Sequence, residues 1–184
     1  LMFANGTDQV TVNNYFLRDG AGGFQVDEIR FADGASWDVG EVKLRVQVAT
    51  EGSDELHGYE TNDTLGGLSG DDILNGHGGN DVLEGGLGND TLTGGAGSDV
   101  YHFSAGDGQD VIDNYDTSAG RVDAIQLGAG IVPADVTARR QGDSLVLNFA
   151  NGTDRITVTS YFVGDAAAGY QLDEIRFANG VVWN

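Results

Sequence analysis

The chain has 184 residues, with 29 acidic against 9 basic side chains, a net charge of −20 and no cysteine. That balance excludes a nucleic-acid-binding surface, which needs a basic footprint. It also excludes disulfide staples and thiolate zinc sites, and no run of ~18 apolar residues is present to span a bilayer. At 40% apolar residues, with 8 Phe, 6 Tyr and 2 Trp, the chain is too apolar for an acidic tail and predicts a packed core.

Residues 1–38 return, without a gap, as residues 147–184, with 23 of 38 aligned positions identical. The shared landmarks are Phe3-Ala4-Asn5-Gly6-Thr7-Asp8 against Phe149-Ala150-Asn151-Gly152-Thr153-Asp154, and Asp27-Glu28-Ile29-Arg30-Phe31-Ala32 against Asp173-Glu174-Ile175-Arg176-Phe177-Ala178. The offset of 146 residues predicts a tandem array, with neighbouring repeats as partners in the parent chain. Residues 38–46 read as one short helix, capped by Asp38, with Glu41 completing a capping box. It leads straight into a glycine-rich repeat region and is placed to shield that region's first open edge.

From Asp54 the aspartates fall at a nine-residue spacing: Asp54, Asp63, Asp72, Asp81, Asp90 and Asp99. A glycine precedes most of them by two residues (Gly52, Gly70, Gly79, Gly88, Gly97), and a large apolar residue comes two positions after each (Leu56, Leu65, Leu74, Leu83, Leu92, Tyr101). Nine residues have room for one tight turn and one very short strand, and such a unit buries its apolar side chain only by stacking on its neighbours. Stacking also brings carboxylates into columns. At ~5 Å and an effective dielectric of ~20, each like-charged pair costs about 3 kcal/mol. A hard divalent cation removes that cost, and glycine turns offer bare carbonyls as further oxygen ligands.

The blocks Gly85-Gly86-Leu87-Gly88-Asn89-Asp90-Thr91-Leu92-Thr93 and Gly94-Gly95-Ala96-Gly97-Ser98-Asp99-Val100-Tyr101-His102 resemble the RTX nonapeptide. The resemblance implies an all-β fold: a right-handed parallel β-roll over residues 49–113, flanked by antiparallel β-hairpin caps at 1–48 (with the short helix) and 114–184. It also implies two nonapeptides per turn and calcium held between successive turns on each edge. One edge would carry Asp54, Asp72, Asp90 and Asp110; the other, Asp63, Asp81 and Asp99. Pairing neighbours gives about five Ca²⁺ ions. The remaining ligands implied are turn carbonyls, among them Gly67, Ser69, Gly70, Gly76, Gly78, Gly79, Gly85, Leu87, Gly88, Gly94, Ala96 and Gly97. Ala49-Thr50 and Thr61 depart from the glycine pattern in the first two units, and two residues are inserted between Asp99 and Asp110.

Past the repeats, Pro133 predicts a helical turn over 133–136. Leu145, Leu147 and Phe149 alternate, then Ile156 and Val158, a β meander with type I′ turns expected at the Asn-Gly pairs 151–152 and 179–180. The run Asp-Glu-Ile-Arg-Phe-Ala-Asn/Asp-Gly…Trp resembles the β-rich domain found beside RTX repeats in haemolysin-type calcium-binding proteins. His57, His77 and His102, at unequal spacing, read as surface residues rather than zinc ligands.

The function these features imply is a non-catalytic structural or extender module that folds on binding calcium. It would belong to a secreted or cell-surface bacterial repeat protein of adhesin, surface or matrix type, exported by type I secretion. Two alternatives are an accessory module of a secreted enzyme or toxin, and a glycan-binding or partner-binding module using Tyr15, Phe24, Tyr161 and Tyr170.

Overall fold

The computed structural model describes residues 27–166 and 169–184, and the chain divides into two units, Leu1–Val46 and Gln47–Asn184. Expectations that rest on residues 1–26, including Tyr15 and Phe24, lie outside the described residues. In the first unit β1 (Glu28–Arg30) and β2 (Ser36–Asp38) form an antiparallel hairpin, with α1 (Val39–Val46) directly after it. The Glu41 N–H donates to Asp38 Oδ1 at 2.8 Å, which caps the helix, and the Glu41 carboxylate pairs with Arg45 one turn on at 2.6 Å.

The second unit contains β3 (Glu55–His57), β4 (Thr64–Gly66), β5 (Ile73–Gly78), β6 (Val82–Glu84), β7 (Thr91–Ala96), β8 (Val100–Phe103), β9 (Gln109–Asp113), β10 (Ala124–Leu127), β11 (Val136–Gln141), β12 (Ser144–Phe149), β13 (Arg155–Val158), β14 (Glu174–Phe177) and β15 (Val182–Trp183). They form the two walls of a β-solenoid. One wall runs β3, β5, β7, β9 and β13 in parallel; the other runs β4, β6, β8, β10 and β14. Antiparallel strands end each wall, β12 and β11 on the first and β15 on the second. Both sheets therefore run on past the nonapeptides without a break.

Register puts equivalent apolar residues on top of one another. Leu56, Leu74, Leu92, Ile112 and Val158 make one ladder. Leu65, Leu83, Tyr101, Ile125 and Ile175 make the other. All ten are buried in one core cluster. A three-residue strand such as β3 or β4 buries only its middle side chain, so each leucine contributes about 1.5–3 kcal/mol only because the next rung covers it.

The Asn179-Gly180 turn differs from expectation. Gly180 N–H donates to Phe177 O at 2.9 Å and Phe177 N–H to Val181 O at 2.8 Å, with φ +87° at Gly180. Phe31, Gly34 and Ala35 repeat this arrangement in the first unit. Type I′ needs positive φ at both central residues, and here the asparagine does not have it. Each loop is a three-residue type I turn closed by a left-handed glycine. The side chain before that glycine accepts the N–H two residues on, from Val181 to Asn179 at 3.1 Å and from Ala35 to Asp33 at 3.0 Å; this stabilises the right-handed alternative. The two repeat copies also share an edge-on ring pair, Phe31–Trp37 and Phe177–Trp183, each at 4.8 Å. The Pro133 turn is a single 3₁₀ turn, Pro133–Asp135, after which β11 begins.

Candidate metal sites along the two acidic edges

Each wall-to-wall turn ends in an aspartate, and the aspartates stand in two columns tied by one repeated hydrogen bond. The backbone N–H of each donates to Oδ1 of its equivalent one full turn on. On the first edge Asp54 donates to Asp72 and Asp72 to Asp90 at 2.8 Å, and Asp90 to Asp110 at 3.1 Å. On the second, Asp63 donates to Asp81 at 2.8 Å and Asp81 to Asp99 at 2.9 Å. The insertion before Asp110 is taken up in the β8–β9 loop, where Ser104 N–H donates to Asp107 Oδ2 at 2.6 Å, and Asp110 keeps its place in the column.

The second oxygen of these carboxylates is what a metal would use. Oδ2 of Asp72, Asp81 and Asp90 is buried and has no hydrogen-bond partner. An orphaned buried carboxylate oxygen is costly unless a cation or a proton meets it. Each of these atoms faces a glycine whose missing Cβ leaves the space. A Cβ on Gly67 would lie 2.2 Å from Asp72 Oδ2 and 2.5 Å from Gly85 O; on Gly76, 2.2 Å from Asp81 Oδ2 and 2.6 Å from Gly94 O. A carboxylate oxygen and a carbonyl oxygen from the next turn thus converge on one gap, the oxygen-only chemistry that suits Ca²⁺. Among the described residues no three His, Cys, Asp or Glu side chains cluster as metal ligands, so a cation held here draws on main-chain oxygen as well as carboxylates.

Electrostatics point the same way. Burial pushes the carboxyl groups of Asp81, Asp90 and Asp99 up to about 6, and that of Asp110 up to about 7. The donated N–H pulls each back in part, and the carboxylate of a neighbouring turn pushes it up again.

The expected ligands do not all stand alike. Asp54 Oδ2 is taken by Thr50, from its N–H at 2.6 Å and its hydroxyl at 3.0 Å, and Asp63 Oδ2 by Tyr59 N–H at 2.7 Å. These are the first two units, where the glycine pattern fails. The carbonyls of Gly85 and Gly94 face the carboxylates, whereas those of Leu87 and Ala96 accept N–H groups from Gly70 and Gly79. Gly70, Gly79, Gly88 and Gly97 all have positive φ. At Gly88 a Cβ would also meet Gly70 O at 1.9 Å, so the close stacking of turns requires glycine there. Leu68 and His77 hold left-handed positions that Gly86 and Gly95 fill in later turns. His77 stacks on His57 with ring nitrogens 3.3 Å apart. Tyr161 and Tyr170 are half-buried and pack on Phe162 and Tyr115.

Two members of the second column were not anticipated. Asp99 N–H donates to Asp123 Oδ1, and Asp123 N–H to Asp173 Oδ2, both at 2.9 Å. The sequence signal is Asp-x-Ile in Asp123-Ala124-Ile125 and Asp173-Glu174-Ile175, the aspartate-to-core step of the nonapeptide with its spacing lost. Around them lie Asn114, which accepts the Tyr101 hydroxyl at 2.8 Å and donates to Asp123 Oδ2 at 2.8 Å, and Arg121.

Residues 48–83 and 75–112 match the RTX calcium-binding nonapeptide repeat, and residues 1–41 and 145–184 match the haemolysin-type calcium binding protein related domain. The chain is 40% identical over 82 residues to the iron-regulated protein FrpA of Neisseria meningitidis serogroup C, a match covering 45% of this chain and 7% of that protein. Among solved structures, the AlgE6R3 subunit of the Azotobacter vinelandii mannuronan C5-epimerase is 31% identical with a TM-score of 0.48, over 72% of this chain and 82% of that one. The extracellular lipase LipA of Serratia marcescens is 26% identical with a TM-score of 0.43, over 60% and 18%. The chain is thus a member of the RTX calcium-binding repeat family, its nonapeptides set between two haemolysin-type calcium binding protein related domains.

Proposed function

We propose that this chain is a calcium-gated structural module that extends a secreted bacterial repeat protein of adhesin, surface or matrix type, and that it has no catalytic role. The observation that carries the reading is the set of buried, unpartnered oxygens on Asp72, Asp81 and Asp90. Calcium, when bound, supplies the positive charge that lets these stacked carboxylates ionise together. The reading assigns about five ions, one to each of the column pairs Asp54/Asp72, Asp72/Asp90, Asp90/Asp110, Asp63/Asp81 and Asp81/Asp99, with turn carbonyls such as Gly85 and Gly94 among the ligands. In the first two units an ion would have to displace the Thr50 and Tyr59 N–H groups from Asp54 and Asp63.

The chain's own part is to hold the oxygens in place. The Asp-to-Asp N–H bonds fix each carboxylate, and the leucine ladders fix the rungs. With net charge −20, the chain at cytosolic calcium would stay unfolded and fit for type I export. Extracellular modules bind calcium with Kd of about 10⁻⁴ to 10⁻³ M, so millimolar calcium outside the cell would fold it. The 146-residue repeat offset supports an extender of many such units. The test is a calcium titration monitored by circular dichroism, then EGTA. The reading expects the β signal to appear with calcium and collapse on chelation; a spectrum indifferent to both would refute it.

A further inference from the structure

The second acidic edge does not end as it begins. Arg121 is the one Lys or Arg between Arg45 and Arg139, and it sits on the last rungs of that column with its side chain 12% exposed. Its guanidinium contacts Asp123, which is fully buried, lies 3.3 Å from Asp173 Oδ2 and 3.5 Å from Asp116 Oδ2, and donates to the main-chain oxygens of Asp116, Gln171 and Gly169 at 3.2, 3.1 and 3.4 Å. Three carboxylates and three carbonyls therefore surround one fixed positive charge. That is the oxygen set a Ca²⁺ ion would take, met here by a group that is always charged and presents five N–H donors. The contrast with Asp72, Asp81 and Asp90 is direct. Asp123 Oδ2 receives Arg121 and Asn114, and Asp173 Oδ2 receives Arg121 and the Asp123 N–H; neither is orphaned.

We propose that Arg121 is a built-in replacement for a calcium ion at the end of the second acidic edge, so that the Asp123–Asp173 rung is neutralised by the chain itself and takes no metal. The inference rests on the calcium-gated folding proposed for the module and sets a limit on it: metal stops where the arginine begins.

The test compares the parent chain, Arg121→Ser and Arg121→Lys, each titrated with calcium by circular dichroism, with bound ions counted by native mass spectrometry. Arg121→Ser frees the gap and strips the carboxylates of their cation. It is expected to fold at roughly three- to fivefold higher calcium and, once folded, to hold one ion more than the parent. An unchanged ion count in folded Arg121→Ser overturns the proposal, whatever the midpoint does. Where Arg121→Ser fails to fold at any calcium, Arg121→Lys decides. Retention of the parent's ion count and of its folding midpoint supports charge replacement; failure to fold overturns it. A parent chain that takes up no calcium would refute the underlying reading instead, and is told apart by that result alone.

Discussion

Gly76→Ala isolates one site. Gly76 lies outside the left-handed region, so alanine suits its backbone, but the new methyl would stand 2.2 Å from Asp81 Oδ2 and 2.6 Å from Gly94 O. Ordinary carbon–oxygen contacts are about 1 Å longer. Neither oxygen is free to retreat: Asp81 Oδ1 is held by Asp63 N–H at 2.8 Å, and Gly94 N–H is held by the Tyr101 hydroxyl at 2.9 Å. Calcium–oxygen bonds are only about 2.3–2.6 Å, so a displacement on the order of 1 Å abolishes the site. For a Kd of about 10⁻⁴ to 10⁻³ M, an ion lost at ~10 mM calcium removes about 1.5–3 kcal/mol of folding stability. The control is Gly66→Ala on β4, whose Cβ would meet nothing closer than Glu84 O at 4.0 Å. Urea unfolding in ~10 mM and in ~1 mM calcium, with calorimetric ion counting, provides the assay. Gly76→Ala should bind one ion fewer, and its stability deficit should shrink as calcium is lowered from ~10 to ~1 mM. A full ion complement, with the same deficit in both conditions, would refute the assignment of that gap to metal.

In EGTA the β signal should be strongest near pH ~4, where protons replace the metal, and should be lost as pH rises to about 7. Asp81, Asp90, Asp99 and Asp110 bind protons more tightly folded than unfolded, so a folded carboxyl near 6 is worth up to about 3 kcal/mol that is present at low pH and lost through this window. A β signal that grows with pH in EGTA would contradict this. Calcium affinity, read by titration, should climb over the same range as the protons leave. Tyr101→Phe deprives Gly94 N–H and Asn114 Oδ1 of their shared hydroxyl; a loss of about 1–3 kcal/mol is expected in urea at saturating calcium. Leu83→Ala empties a fully buried rung of its ladder and should cost about 2–5 kcal/mol by the same measurement; a cost below about 1 kcal/mol would mean that the ladders do not carry the stack.

Much of the solenoid was legible because one ruler governs both its covalent and its spatial order. Nine residues separate Leu56 from Leu65, and two such steps return the chain to the same wall, so spacing predicts the neighbour. The ruler breaks after Asp99. Asp123 and Asp173 stay in the second column although a 24-residue and then a 50-residue step separate them from Asp99, because loops and the β11–β12 hairpin are inserted between rungs. Periodicity cannot see through an insertion; only the local Asp-x-Ile step survives it. Arg121 was invisible for another reason: a lone arginine acquires meaning only from the carboxylates that folding sets around it. The turn at Asn179-Gly180 departs from its dipeptide preference because that preference ignores the asparagine side chain, which accepts the Val181 N–H at 3.1 Å.

The amide-to-carboxylate ladder has a mechanical corollary. Each tie joins residues one circuit apart, 18 positions along the chain for Asp63 and Asp81, so tension on the polypeptide loads one circuit at a time rather than the whole stack at once. Peeling a circuit would release about 60 Å of slack and uncover the next. A string of such domains would then behave as a shock absorber whose yield force is set by the surrounding calcium concentration.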